Sequence, residues 1–324
     1  MNGKKPKISV VIANWNRKND TLETLHSLRE SSLDRILLEV VVVDNGSTDG
    51  SSDAVEKFSQ TATKDGFSIV QVLNKENLGF CKGNNVGIKR ALDGGADYLV
   101  LLNNDTVVEK NIFNNFMEVY LRNRNLGAIS PKIYFAPGFE FHKERYKKSD
   151  LGKVIWAAGG DIDWNNVYAT NHGVDEVDTG QFDKAREIDF GTGACIFIPR
   201  NVIEKVGMLD ENLFAYFEDA DLCIRIKKAG WKIIYSPKPF LWHKVSQTSG
   251  IGSDLNDYFI TRNRVLFGLK YAPWRAKFAL IRESIRLLSS GRKWQKIGIR
   301  DFYLMRFGKG SWPTVLRTFG LEGK

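Results

Sequence analysis

Glu218, Asp219 and Asp221 place three carboxylates within four residues. Such close like charges repel one another, and a helix N-terminus, which favours negative charge, offsets part of the cost. The residues that follow read as a helix over 219–229, ended by Gly230 as a C-cap. The chemistry open to this cluster is acceptance of a proton from a substrate hydroxyl; the ordinary alternative is an acidic helix cap. Asp44 follows four valines, so its carboxylate projects from a strand end, as an acceptor or as an N-cap. Asn14 and Arg17 close another apolar run, and Arg17 has the ordinary alternative of a solvated arginine. Asn77, Gly79, Lys82, Gly83 and Asn85 open a helical stretch. Glycines there let backbone approach a phosphate or ribose, the helix start favours an anion, and Lys82 adds a point charge. Asn103, Asn104 and Asp105 end a fourth run, with one full charge among them. His243 follows Trp242 just after a strand and loop, and the small residues 191–194, with Gly193 among them, leave space. Residues 191–194 are no dinucleotide fingerprint, because the third glycine is missing and no β-α unit opens there.

The elements that must position these residues alternate. Residues 7–14, 39–45, 68–74 and 97–105 are near-continuous apolar runs, as expected for strands covered on both faces. Stretches with helical spacing lie between and after them, near 20–31, 51–62, 81–93 and 109–124. This alternation predicts a doubly wound, mostly parallel sheet, in which ligands bind outside the carboxyl ends of the strands. Residues 136–190, rich in Gly, Asp and Asn, predict loops and hairpins. Further strands are expected at 194–200 and 232–237, and two basic helices beyond Leu255, broken at Ala272-Pro273.

Composition narrows the classes. A chain of 324 residues that is 43% hydrophobic can bury a sizeable core, which excludes a disordered chain. Cys81, Cys195 and Cys223 are too scattered for a disulfide scaffold or zinc cluster and fit a reducing cytosol. No apolar run approaches the roughly 18 residues of a membrane span, and the first residues lack a signal-peptide core. The net charge of +9 is uneven: residues 258–324 hold 15 Lys and Arg against 3 Asp and Glu.

Residues 10–17 (VVIANWNR), 41–51 (VVVDNGSTDGS), 77–88 (NLGFCKGNNVGI), 98–106 (YLVLLNNDT), 191–200 (GTGACIFIPR), 209–233 and the Trp242-His243 pair resemble, in the same order, family 2 glycosyltransferases of the rhamnosyltransferase-like branch. The resemblance covers about residues 7–245. It implies an α/β GT-A fold: a Rossmann-like, mixed and mostly parallel sheet flanked by helices. The catalytic domain would be 1–250, with a nucleotide-binding half (1–105) and an acceptor-binding half (106–250), followed by a basic helical extension at 251–324. The implied activity is inverting transfer of a sugar from a nucleotide-diphosphate donor, dTDP-rhamnose or a UDP-sugar, to a glycan or lipid-linked saccharide in surface polysaccharide synthesis. Asp219 would be the base, with Glu218 and Asp221 orienting the acceptor or holding the loop. Asp44 would accept the imide N–H of uracil or thymine. Asn14, Arg17, Asn77, Gly79, Lys82, Asn85, Asn104 and Gly193 would line the donor. Asp105, His243 and Asn103 would hold a divalent cation, Mn2+ or Mg2+, bridging the diphosphate. The family often carries Asp-x-Asp where Asn103 stands, so this chain brings one carboxylate instead of two, and diphosphate oxygens must supply much of the coordination.

The basic extension interleaves aromatics with Lys and Arg, which suits an anionic bilayer, each cation near such a surface contributing about 1 kcal/mol. The expectation is peripheral binding to the inner face of the cell membrane, with no role for nucleic acid; the alternative is a helical cap packed on the catalytic domain. Two other functions stand as alternatives. A sugar-1-phosphate nucleotidyltransferase would need a Gly-rich basic loop after the first strand, where Asn14-Trp15-Asn16-Arg17 stands instead. A non-catalytic carbohydrate-binding protein has support from Asn103 alone.

Overall fold

The computed structural model describes residues 5–245 and 253–313. In chain order the elements begin β1 (Lys7–Asn14), α1 (Lys18–Arg29), β2 (Leu37–Asp44), α2 (Ser51–Thr61), β3 (Phe67–Leu73), α3 (Gly79–Asp93) and β4 (Tyr98–Leu102). The next part holds β5 (Thr106–Val108), α4 (Ile112–Arg122), β6 (Leu126–Phe135), β7 (Ile155–Ala157), β8 (Gly160–Asp163), β9 (Tyr168–Asn171) and β10 (Arg186–Glu187). Then come β11 (Cys195–Pro199), α5 (Arg200–Val206), α6 (Glu218–Lys228), β12 (Lys232–His243), α7 (Asp254–Tyr271), α8 (Trp274–Ser290) and α9 (Lys293–Tyr303).

The central sheet runs β10-β12-β6-β11-β4-β1-β2-β3, with β5 added to β12 and β7 to β6. β3, β2, β1 and β4 are mutually parallel, whereas β11 runs antiparallel to both neighbours. Val11, Val41 and Val43 enter the core on one face, and Val10, Val40 and Val42 enter the core on the other. Both faces are therefore buried, which is why these strands read as unbroken apolar runs. In the β1–β2 register Asn14 lies opposite Asp44, so the two polar ends share one sheet edge.

β6 was not expected. Pro131 removes a ladder donor and makes the run read as loop. The fold accommodates it where the β6–β12 register slips, between Ser236 and Phe240 of β12. The same slip absorbs Pro237 and Pro239, so β12 runs on past the expected end at residue 237 to His243.

The C-terminal helices are not an appendage. The helix break at Ala272-Pro273 falls between α7 and α8 as expected, but α7 is built into the core. Phe267 stacks on Trp164 and leans on Phe217, and Tyr258 and Phe259 are fully buried. Each such ring contributes about 2 kcal/mol by burial. Arg262, expected among the surface charges, is fully buried. Its guanidinium donates to the carbonyls of Asn212 (3.2 Å) and Leu213 (3.1 Å). Asn263 donates to the carbonyls of Leu213, Ala215 and Tyr216 at 2.8, 2.8 and 3.0 Å. The boundary expected between residues 250 and 251 lies outside the described residues.

A buried carbonyl left without its donor costs about 1–3 kcal/mol. Asn263→Leu should therefore lower the unfolding free energy by about 3 kcal/mol in urea titration, and a chain truncated after residue 253 should show no cooperative unfolding. A truncated chain with the full-length midpoint would mean that the catalytic part folds without α7.

Candidate active site

Polar strand ends meet at one edge of the sheet. Asn14, buried at the end of β1, donates to Asp44 Oδ2 (3.0 Å) and to Ser47 Oγ (3.2 Å). Its own oxygen accepts from Thr21 Oγ1 and from Asn104 Nδ2, both at 2.9 Å. Asp44 also accepts the Ser47 N–H at 2.7 Å. Beside this network lies a cleft of about 260 Å³. Asn14, Trp15, Arg17, Asn77, Gly79 and Asn104 line it from the sheet edge, and Phe214 and Ala215 from the loop before α6. Asn77 caps the Gly79 N–H at 2.9 Å. Gly79 has a φ of +83°, and a side chain there would come within 2.4 Å of the Phe214 ring, so this turn admits only glycine.

A second cluster adjoins the first. The Asp105 Oδ1 lies 3.0 Å from His243 Nε2, and Asn103 Nδ2 lies 3.4 Å from the same nitrogen. Register places this arrangement: β12 ends at His243 opposite Thr106 of β5. Burial pushes the Asp105 carboxyl upward, but the His243 hydrogen bond and the charges of His243 and Arg17 outweigh it, so the net shift is downward and Asp105 stays ionised.

The carboxylate cluster opens α6 as expected, and its members diverge. Asp219 accepts the Gly193 N–H at 3.0 Å and the Ala220 N–H at 2.7 Å. Burial raises its pKa, and those N–H groups oppose the rise. Burial, then the Asp219 charge, push Glu218 up to about 8, and its Oε2 is buried with no hydrogen-bond partner. Burial therefore disfavours the charged form of both carboxyls, and at Glu218 the neighbouring Asp219 charge adds to it. Asp221 faces elsewhere: it accepts from Lys270 (2.6 Å), Tyr271 (2.7 Å) and Arg225 (2.8 Å). Burial pushes Asp221 up, but these donors outweigh it and hold it below the usual range. It ties α6 to α7 and so braces the loop, one of the two roles expected for it.

Gly193 links the clusters. A methyl group there would lie 3.5 Å from the Phe80 ring of the cleft wall and 3.6 Å from Glu218 Oε1. The next carbonyl, of Ala194, accepts the Asn103 N–H at 2.9 Å.

The family described as Glycosyltransferase like family 2 matches residues 6–268. The chain belongs to this family. A Mycobacterium tuberculosis N-acetylglucosaminyl-diphospho-decaprenol L-rhamnosyltransferase is 26% identical over 222 residues, which cover 66% of this chain and 68% of that protein. An uncharacterised protein of Sinorhizobium fredii is 26% identical over 253 residues, 76% of this chain but only 25% of its own length. Among solved structures, a mannosyltransferase from Pyrobaculum calidifontis in complex with GDP-Man and Mn2+ aligns with a TM-score of 0.55 and 16% identity, over 96% of this chain and 77% of that one. The fold is the GT-A fold, and the chain is a glycosyltransferase.

Within this family 2 enzyme, two expected donor contacts lie elsewhere. Asn85 is buried and spends its amide on both backbone groups of Leu209 (2.9 and 3.0 Å) and on Glu211 (3.1 Å). Lys82 is exposed to solvent and, like the buried Asp44 and Gly193 beside the cleft, is not among the described residues that line it. Both fell inside a motif of which Asn77 and Gly79 do line the cleft, and spacing alone did not separate them. Asn45, Phe80 and Phe214 line the cleft and were missed; Asn45 had a signal, as the neighbour of Asp44 at a strand end.

The residues present fit the divalent cation that the family implies. Two ligands at about 2.1 Å on an octahedral ion lie about 3 Å apart, the separation of Asp105 Oδ1 and His243 Nε2. Half a turn of the Asn103 amide would present its oxygen to the same point. Among the described residues no three His, Cys, Asp or Glu side chains could hold a metal unaided, so a cation here would need ligands from outside the chain.

The raised Glu218 carboxyl has a thermodynamic signature. Between its unfolded value of 4.5 and its folded value of about 8, the folded chain holds more protons than the unfolded chain. Its contribution is present below that window and is lost as pH rises through it, by about 1.4 kcal/mol per pH unit. Glu218→Gln should remove this slope and make the variant more stable than wild type at pH 8.5. Parallel stability–pH curves for the two proteins would contradict the assignment.

Proposed function

We propose that this glycosyltransferase moves a sugar, with inversion, from a nucleotide-diphosphate donor to a glycan or lipid-linked saccharide acceptor in surface polysaccharide synthesis. The observation that carries the reading is the pairing of a buried carboxylate, Asp219, held by the Gly193 and Ala220 N–H groups, with a carboxylate-free cleft that Gly193 adjoins at Phe80. Asp219 takes the proton of the acceptor hydroxyl as that oxygen attacks the anomeric carbon. Its burial makes it a stronger base than an exposed aspartate, so turnover should rise with pH along an acid limb above the usual carboxylate range. Asp44, still with lone pairs free beyond its two internal bonds, accepts the imide N–H of uracil or thymine. Asn14, Asn77, Gly79 and Asn104 shape the base and ribose walls, and Arg17 adds positive charge.

Asp105 and His243, with Asn103, would hold Mn2+ or Mg2+, which when bound neutralises charge developing on the leaving diphosphate. For His243 Nε2 to serve as a ligand its proton must sit on Nδ1, so the Asp105–His243 hydrogen bond seen here gives way to shared coordination. A nitrogen and an oxygen ligand together suit manganese somewhat better than magnesium.

Asp219→Asn should lower transfer by roughly 10³-fold while UDP or dTDP with MnCl2 still raises the melting temperature as in wild type. Retained turnover would remove Asp219 from the role of base. Absence of stabilisation of the wild type by UDP, dTDP, GDP or CDP would favour the non-catalytic reading for which Asn103 speaks.

The acceptor side supports a peripheral place on the inner face of the cell membrane. No described helix is long and apolar enough to cross a membrane. Trp274, Phe278, Ile285 and Leu288 of α8 are 73%, 76%, 58% and 41% exposed, and their spacing puts them on one face. Arg275, Arg282 and Arg286 flank that face, and the acidic Glu283 of α8 is engaged by Arg264. Apolar rings bordered by cations suit an anionic bilayer surface. Phosphatidylglycerol vesicles should float the wild type at low salt, and the Trp274→Ser/Phe278→Ser variant should bind about tenfold less. Equal flotation of both, or none, would sink this reading.

A further inference from the structure

The cleft has a wall that the strand-end motifs do not supply. Leu255, Lys309, Trp312 and Pro313 complete its lining from the C-terminal part of the chain. Among the described lining residues Arg17 and Lys309 are the cations, and none is a carboxylate. We propose that the segment after α9 is a fixed wall of the donor site and that Lys309 is the lysine that binds the donor diphosphate, in place of the solvent-facing Lys82. This rests on the reading of the cleft as a nucleotide-sugar site.

The segment is fastened at several points. Asp301, fully buried, accepts the Ser311 N–H (2.7 Å) and the Ser311 hydroxyl (3.0 Å). Tyr258 donates its hydroxyl to Asp301 at 2.5 Å and accepts the Ser311 N–H at 2.9 Å. Burial pushes Asp301 up, but the donors from Tyr258 and Ser311 outweigh it, and it remains ionised. Gly310, with a φ of +54°, lies so close that a side chain would come within 2.1 Å of the Tyr258 hydroxyl. Trp312 packs on Trp294 and Phe259, and the Phe259 ring stacks on Phe214 of the opposite cleft wall. The Gly308 N–H donates to Asn212 at 2.8 Å, on the loop that leads to Glu218 and Asp219. Lys309 is thus carried on a rigid turn between the cleft and the catalytic loop. A lysine so placed acts on phosphate as a point charge.

The test is calorimetric titration of the full chain with UDP, dTDP and GDP in turn, each with MnCl2, on wild type, Lys309→Gln, Lys309→Arg and Ser311→Pro. For the nucleotide that wild type binds most tightly, Lys309→Gln should weaken binding about tenfold or more. Lys309→Arg should restore most of the loss. Ser311→Pro, which removes the N–H held by Asp301 and leaves Lys309 intact, should weaken binding by a similar factor. Wild-type affinity in Lys309→Gln, or an arginine variant as weak as the glutamine one, would overturn the role of Lys309 while leaving the glycosyltransferase reading in place. Should the wild type bind none of the three nucleotides, the reading of the cleft and the wall inference would fall together.

Discussion

The site depends on one constraint: five consecutive carbonyls, from residue 212 to residue 216, are each held by a named donor. Phe214, Tyr216 and Phe217 lie in the left-handed region at φ values of +65°, +69° and +71°. Non-glycine residues there cost about 1 kcal/mol or more apiece, and such a loop persists only where its surroundings over-determine it. The Phe214 carbonyl accepts the Cys81 N–H at 3.0 Å from the first turn of α3, and Arg262, Asn263 and Gly308 hold the others. The strain is therefore borne by α7, and its result is that the chain enters α6 with Glu218 and Asp219 turned toward Gly193.

The opposite side of the cleft is built on a different principle. Asn14 satisfies four partners at once, and through them it fixes the ends of β1, β2 and β4 relative to α1. A buried polar network is costly unless every member is paired, and paired it specifies one geometry. Main-chain strain positions the carboxylates, whereas side-chain hydrogen bonding positions the strand-end walls of the cleft. The two systems meet at Phe80 and Gly193, where a methyl group on the glycine would touch both the cleft wall and Glu218.

This difference explains what was legible in the sequence. β1 to β4 announce themselves because strands buried on both faces must be apolar throughout, and a polar residue ending such a run must lie at the sheet edge. Asp44, Asn104 and Asp105 can be placed at that edge from the sequence alone. β6 was hidden because Pro131 is tolerated only through a register slip in its partner, a tertiary event with no local signature. Arg262 was hidden for the opposite reason. In a segment with so many cations it read as surface charge, and nothing local says that its donors are consumed by backbone carbonyls about fifty residues earlier. Asp221 and Asn85 sit in motifs whose other members face Gly193 or the cleft, and helical periodicity turns some members of such a motif the other way.

Charge placement then follows from burial rather than from count. The C-terminal part of the chain is the most basic, yet its cations divide by environment. Arg262 is internal, Lys270 is paired with Asp221, and the arginines of α8 stand in solvent beside exposed rings. α7 faces the catalytic loop, α8 faces outward, and α9 packs on both. Helices read together as one basic extension are thus a brace, an exposed apolar and basic face, and a connector that ends in a wall of the cleft. α9 leads directly into that wall, and the Tyr258–Asp301–Ser311 latch ties the wall to α7 without passing through the sheet.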